Sequence, residues 1–576
     1  MNNPVTNRAR ILLILVIVAA APYFFALGAS TLWDSNEAFY TETPREMIES
    51  GDYLNPAFNY KPRFNKPPLS YWVVAGLYNL FGVSEGVERF GIAIGAVALI
   101  AVAFALARLA FSVEAAAVAA LALCLSPRFL MFSRRIFIDI YISLFLGLTL
   151  LFFALAEARP RRRRLYLTLM YVSCGLGVMT KGPIAIALPG LAFLTYLAVT
   201  RRLESVRRMM LPAGALIVAA IVVPWYAAIY SEHGWSYIES FILRDNLSRY
   251  TEPVWGPRRG PFFYVPVIFG DLFPFSLFLP ATVWFAWREW RKPPVEARTI
   301  NSRLVVLMSI WIAVIVLFFS ISRNKEDLYI LPAYAAAAAL TGGAVAGLAA
   351  SRDDAREKGE EKLEKNGPDK LARFFSASIF AAGLLLAVAG AGAGYIFSGS
   401  LNGYALAGAG LIGVAAITGG VAAIILSFTR SRFAAIVSLV VTVAAIDWLF
   451  VIKTLPDFER FKPVRAMCET INAQAGPGAS AGYYKFASPS MVFYLRRQIF
   501  EYYDEDDLVR EFSSGKEVYC IMREQDYEAV KPYLPAPTYV LATRPVFQVK
   551  LKGIFNQDGL PQVVLISNKG GTSSSQ

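Results

Sequence analysis

Long apolar runs rich in Ala, Ile, Val, Leu and Phe recur along this chain, separated by short polar or arginine-rich stretches. The first covers residues 9–29, behind Arg8 and Arg10. Twelve more lie near 91–111, 114–126, 136–157, 165–180, 183–199, 211–230, 264–286, 304–321, 328–349, 374–398, 403–428 and 433–453. Many approach the roughly 20 residues that an α-helix needs to cross a bilayer. One such run is readily a buried core helix; thirteen in one chain are not. The pattern predicts a mainly α, polytopic membrane protein of about thirteen transmembrane helices. No small-residue cleavage pattern follows the first run, which therefore reads as a retained span with a cytoplasmic N-terminus.

Counting crossings from there places the long polar stretches 30–88 and 231–263 outside, as external loops of a transmembrane domain over 1–454. The stretch 351–372 is highly charged and lacks apolar residues, so it reads as a solvated or disordered linker on the inner side. From about residue 455 the pattern changes. The β-prone runs VYCIM (518–522) and VVLIS (563–567) alternate with helical stretches near 463–474 and 487–496. They predict a small extracytoplasmic α/β domain over 455–576, ending in a disordered GGTSSSQ tail. Its expected role is a lid or docking surface over the membrane part.

The formal net charge of +13 does not point to nucleic acid, because no separate basic domain supplies a phosphate-binding face. Dense arginines occupy short loops instead: Arg159 with Arg161 to Arg164, then Arg201, Arg202, Arg207 and Arg208, then Arg288, Arg291 and Lys292, then Arg430 and Arg432. The predicted topology puts them all on one side, as the positive-inside rule requires. With an odd number of spans, that topology puts the C-terminal domain outside. Four cysteines show no metal spacing: Cys124 and Cys174 sit in apolar runs, and a disulfide between Cys468 and Cys520 is open. A single histidine, His233, excludes histidine-cluster metal sites.

Candidate chemistry collects in the outer loops. Asp34, Glu37, Glu42 and Glu46 crowd the start of a stretch where Ala38, Thr41, Met47 and Ile48 predict an amphipathic helix at the membrane interface. Acids there also complement a helix dipole, so structure and chemistry compete as explanations. Arg134, Arg135 and Asp139 stand at the outer start of a span, and on one helix Arg135 and Asp139 would share a face. Asp245, Asn246 and Arg249 fall in one later loop, Arg323, Lys325 and Tyr329 in another. Cations on the outer side run against the charge rule, and an anionic lipid phosphate is a reason for them. A phosphate leaving group needs cationic stabilisation more than protonation, while a nearby carboxylate readies an incoming hydroxyl.

Five segments, in order, resemble a known family. NEAFYTETPREMIESGDYLNP (36–56) is similar to its D-E-x-R-Y-x-E-x-x-R-E-M-x-x-S-G-D-W pattern, and RFNKPPLSYW (63–72) to Y-F-E-K-P-P-L-x-Y-W. GVMTKG (177–182), GPFFYVPVIFGDLFPF (260–275) and FFSISRNKEDLYIL (318–331) complete the set. The chain resembles the membrane glycosyltransferases related to protein O-mannosyltransferases, and especially the bacterial 4-amino-4-deoxy-L-arabinose transferases that modify lipid A. The resemblance implies a thirteen-span GT-C fold, a polyprenyl-monophosphate sugar donor, an inverting transfer to a lipid, glycan or protein acceptor, and Lys66 as the lipid-phosphate lysine. It implies donor-side roles for Arg249, Lys325 and Tyr329, a catalytic role for Asp139, and a place near the phosphate for Lys181; Arg135 and Arg323 join the donor side as outer-face cations, by charge and position alone.

Departures matter too. The family's Asp-Glu pair reads Asn36-Glu37, with Asp34 two residues earlier, so the base is Glu37 or Asp34. The family arginine that follows is Phe39. The relatives' zinc ligands, a Glu and a His, fall on Asn65 and Asn246, neutral amides that bind zinc poorly, so no cofactor is expected. Two other readings stay open: a transporter, which usually shows repeated halves that are not seen here, and an inactive relative that binds lipid. Nothing demands more than a monomer.

Overall fold

A computed structural model describes residues 4–135, 138–248, 250, 259–291, 299–357, 368–399, 404–429, 431–535, 537–547 and 560–570. Residues 358–367 of the charged linker and 571–576 of the tail lie outside them. Among the described residues nine helices are long and apolar enough to cross a membrane, or eleven if two bent pairs each count once. The predicted spans near 165–180 and 183–199 fall on α8 (Arg163–Lys181) and α9 (Ile184–Val199), which do not meet that standard.

The bends are the clearest departures from the expected pattern. The run 114–126 is α5 (Val113–Cys124), followed by the short α6 (Pro127–Ser133) at 67° to it. Pro127 occupies the first turn of α6, and the Ser126 hydroxyl accepts the Phe129 N–H, so a fresh helix starts there. The run 264–286 breaks likewise, between Tyr264–Asp271 and Phe275–Trp290, at 114°. Pro274 lacks the N–H that would continue the first helix.

Small residues let the helices approach closely, since lipid supplies no hydrophobic drive between them. A Cβ at Gly342, in the helix Tyr334–Glu357, would lie 2.3 Å from the Ala115 carbonyl of α5. Gly383 and Gly420 join Pro368–Ile396 to Ala409–Ser427 in the same manner, each with a Cβ position within 2.5 Å of the other's carbonyl.

The first external loop folds into α2 (Asn36–Ser50) and a hairpin, β1 (Ala57–Phe58) with β2 (Lys61–Pro62), before α3 (Leu69–Phe81) and α4 (Glu85–Ala110). The expected interfacial helix exists, but its polar side is not in water: Glu37, Thr41, Glu42, Thr43, Arg45 and Glu46 are all buried. The C-terminal domain covers it. That domain is a five-stranded mixed sheet of order β4-β3-β5-β7-β6. β3 (Ser480–Tyr484) runs parallel to β4 (Phe500–Tyr502) and β5 (Val518–Arg523), while β7 (Gln562–Ser567) is antiparallel to β5 and β6 (Tyr539–Pro545).

Strand alternation on β5 sends Tyr519 and Ile521 to one core and Val518, Cys520 and Met522 to the other. Cys468 belongs to the first core. The sheet thus separates Cys468 from Cys520, and both are free thiols, which answers the open question of their pairing. Phe58 belongs to the first core and Phe39 packs against it, so loop and domain share one hydrophobic centre. The last membrane helix continues beyond the expected 453 through Phe461, straight into this junction.

Candidate functional site

Two polar clusters stand out at the loop-bearing end of the bundle. The first follows from helix length. α7 (Asp139–Ala158) and α8 are 20 and 19 residues long and joined by a turn at Pro160–Arg162, so the start of one meets the end of the other. Asp139 in the first turn and Lys181 in the last turn each suit their helix dipole. They form an ion pair, with both side chains partly open. The Lys181 ammonium also lies 5.1 Å from the centre of the Tyr329 ring. Gly182, at φ +91°, ends α8, and a Cβ at Gly177 would lie 2.8 Å from Ala185 Cβ. Both glycines of GVMTKG thereby place Lys181.

Lys66 reaches the same quarter through its neighbours. Phe64 and Leu69, on either side of it, pack with Met179, two residues before Lys181. The Lys66 ammonium donates to the Asn65 carbonyl at 2.9 Å. Trp225 of the helix Leu211–His233, with Tyr237 and Phe241 from the second external loop, closes that cluster. His233 joins the loops too, its Nε2 2.7 Å from Asn55 Oδ1.

The second cluster is buried. Arg89 Nε donates to Glu37 Oε1 at 2.7 Å, and both side chains are only 2% exposed. The remaining Arg89 nitrogens donate to the carbonyls of Leu27, Ser30 and Thr31, while Glu37 Oε2 accepts the Trp33 N–H at 2.5 Å. The Trp33 ring in turn carries the Arg135 guanidinium at 3.7 Å and the Lys462 ammonium at 4.5 Å. Lys462 donates to Ser30 Oγ and Glu459 Oε1, and burial pulls it down to about 8. Asp34 is an exposed residue, yet its carboxyl turns inward onto buried Ser490, accepting the Ser490 N–H and hydroxyl at 2.7 Å each. Burial of the carboxyl, offset in part by those bonds and by Lys462, raises Asp34 to about 6.

Several expectations change. Arg135 and Asp139 do not share a helical face: α6 ends at Ser133 and α7 begins only at Asp139. Arg135 lies over Trp33 instead, and Asp139 pairs with Lys181. Arg134 is buried and holds the carbonyls of Pro22 and Phe25. Lys325 is buried and folded back onto the Ser322 carbonyl, tying its own loop, whereas Arg323 is exposed. Asn36 is exposed at the start of α2, and Asn65 is half-buried. Asn246 lies in the π-helical turn Glu239–Ser248, with its side chain, like that of Asp245, outside the description; Arg249 lies outside the described residues. Phe39, replacing the family arginine, takes the Arg63 guanidinium on its ring at 3.9 Å.

Sequence reasoning missed Arg89, Trp33, Lys462 and Ser490, and a third group in which Arg128 pairs with Asp271 (2.9 Å) and with Asp327. Arg89 had a signal, a charge opening an apolar run. Lys462 and Ser490, more than 400 residues from their partners, had none.

Comparisons with known proteins bear on this arrangement. Residues 65–227, which hold Lys66, Arg89, Arg135, Asp139 and Lys181, match the family model described as dolichyl-phosphate-mannose-protein mannosyltransferase. The chain is 30% identical over 331 residues to an uncharacterized protein of Aquifex aeolicus (strain VF5), covering 57% of this chain and 62% of that protein. It is 30% identical over 339 residues to the undecaprenyl phosphate-alpha-4-amino-4-deoxy-L-arabinose arabinosyl transferase of Pseudomonas aeruginosa (strain LESB58), covering 58% and 59%. The chain spans about three-fifths of the length of these curated relatives.

The crystal structure of ArnT from Cupriavidus metallidurans bound to undecaprenyl phosphate superposes with a TM-score of 0.77 at 23% identity, over 98% of this chain and 99% of that one. The apo oligosaccharyltransferase of Archaeoglobus fulgidus follows at 0.53 and 13% identity, over 91% and 71%. The mainly helical GT-C fold read from the sequence is the fold of this chain, and its resemblance to the arabinosyl and mannosyl transferases is upheld.

Proposed function

We propose that this chain, a multi-pass membrane protein with the GT-C glycosyltransferase fold, transfers a sugar from a polyprenyl-phosphate donor to an envelope acceptor on the periplasmic face. The observation that carries the reading is the partly open Asp139–Lys181 pair beside Tyr329, with the Lys66 segment packed on the same helix end. Lys66 and Lys181 hold the donor phosphate and take up its charge as the glycosidic bond breaks, which removes the need for a general acid. Asp139 orients Lys181. Attack from the opposite face inverts the anomeric centre.

The base is Asp34. Glu37 is sealed against Arg89 and the Trp33 amide, whereas Asp34, at an exposed position, is held among the described residues by Ser490 alone and its carboxyl is raised to about 6 by burial, near the optimum for a base at neutral pH. Glu37, Arg89 and Trp33 form the frame that carries it.

The reaction runs without metal. The neutral amides Asn65 and Asn246 stand where the resemblance places the ligands, and the Lys66 ammonium, on the Asn65 backbone carbonyl, adds positive charge beside that position. Support for the donor class comes from the fold shared with a protein bound to undecaprenyl phosphate. The test is purified protein with polyprenyl-phosphate sugars, scored for sugar transferred and polyprenyl phosphate released. Substrate transport without bond cleavage, or donor binding without turnover, refutes the proposal.

A further inference from the structure

At the opposite end of α8 from Lys181 lies a cavity of about 740 Å³ lined by Arg161, Arg162, Arg163, Arg164, Arg207 and Arg208. Nineteen helical residues at ~1.5 Å each put roughly 28 Å between it and the candidate reaction site. The two are separate.

The positive-inside rule accounts for arginines in these loops, but not for their convergence on a cavity. Among the described residues Glu157 pairs with Arg163 and Arg202, and no carboxylate pairs with Arg161, Arg162, Arg164, Arg207 or Arg208. Backbone dipoles add to the imbalance. α8 begins at Arg163, and α10 (Leu211–His233) follows Met210. Neither has a side-chain cap or a first-turn acid. The helices run parallel: Tyr171 donates to the Met209 carbonyl and fills the space at Gly214, while Ile221 fills that at Gly175. Two positive helix ends therefore open toward the same arginines. Cations at a helix N-terminus oppose its dipole, an arrangement that an anion relieves.

The wall is not wholly polar. Exposed Leu165 and half-buried Met210 line the cavity beside the arginines, and Leu211 is exposed next to it. An apolar rim under a basic pocket fits a lipid whose phosphates sit in the pocket and whose chains lie along the helices.

We propose that this cavity binds the phosphate headgroup of a polyanionic membrane lipid on the face opposite the reaction site. Arginine forks grip phosphate bidentately, and several of them suit a headgroup with two phosphates better than one. The site makes no demand on the transfer reaction and stands or falls separately from it.

The test uses the full chain in phosphatidylcholine nanodiscs doped with diphosphatidylglycerol, with lipid retention measured by native mass spectrometry. Inorganic pyrophosphate serves as the soluble competitor. Retention is expected to weaken at least about ten-fold in Arg207→Gln/Arg208→Gln and again in Arg161→Gln/Arg162→Gln, the loss of about one charge-assisted hydrogen bond each. An Arg→Lys version of each pair preserves the charge that directs insertion, and it should weaken retention less while melting as the parent does in neutral lipid. Undiminished retention in both the Gln and Lys variants overturns the proposal. Pyrophosphate binding that displaces the lipid at equal affinity assigns the pocket to a soluble polyphosphate and overturns it equally.

Discussion

The Asp139–Lys181 pair and the Glu37–Arg89 pair are both acid–cation contacts in the same protein, and they are built to opposite specifications. The first joins consecutive helices and leaves 15% and 21% of its side chains open. The second joins two helices through a loop, is 2% exposed on each side, and has its spare hydrogen bonds taken by backbone. An open pair can exchange partners with an incoming phosphate; a sealed one can only hold shape. On the proposed function, exposure, more than residue type, separates chemistry from scaffolding.

Breaking each pair should therefore fail differently. Asp139→Ala and Lys66→Ala should each lower transfer by about 10²–10³-fold, the scale of losing one oriented electrostatic group, with little change in thermal midpoint. Arg89→Met should do the reverse first, costing about 3–5 kcal/mol of stability because it leaves Glu37 buried and unpaired. Unfolding in detergent reads that loss. Equal instability in Asp139→Ala and Arg89→Met would erase the distinction.

Asp34 sharpens it at the domain junction. Asp34→Asn should slow transfer by about 10²–10⁴-fold, the usual contribution of a general base. In the parent, the rate should rise as pH passes about 6, where Asp34 deprotonates, and the substitution should remove that limb. Stability runs the other way. A carboxyl raised from 3.8 to about 6 contributes fully below pH 4, and that contribution is lost as pH rises through 6. Ser490→Ala, which removes one of two hydrogen bonds to Asp34, should raise this value further and shift the rate limb upward. The smallest effect expected is from chelators: on the proposed metal-free reaction, treatment with EDTA should leave the rate unchanged.

Much of the fold was legible because membrane helices are written in long apolar runs and β-strands in short ones; β5 and β7 fall almost where VYCIM and VVLIS predict. The breaks were not legible. Pro127 and Pro274 lie within or beside apolar stretches, and hydropathy does not register that a proline there splits one span in two. For the site, Asp139, Lys66 and Lys181 could be found through local pattern and resemblance. Their pairing could not, since an i,i+4 spacing suggested Arg135 for Asp139, whereas a helical hairpin supplied Lys181. Lys462 and Ser490 reach the first external loop only because the C-terminal domain folds back over α2. No local period encodes that return.

The most direct test of the central claim is the affinity of the purified chain for polyprenyl phosphate, compared between the parent and Lys66→Met/Lys181→Met in neutral nanodiscs. The account predicts a fall of at least about 100-fold, close to the loss of two charge-assisted hydrogen bonds, while Glu37→Gln binds within a few-fold of the parent. Unaltered binding in the double variant would contradict it.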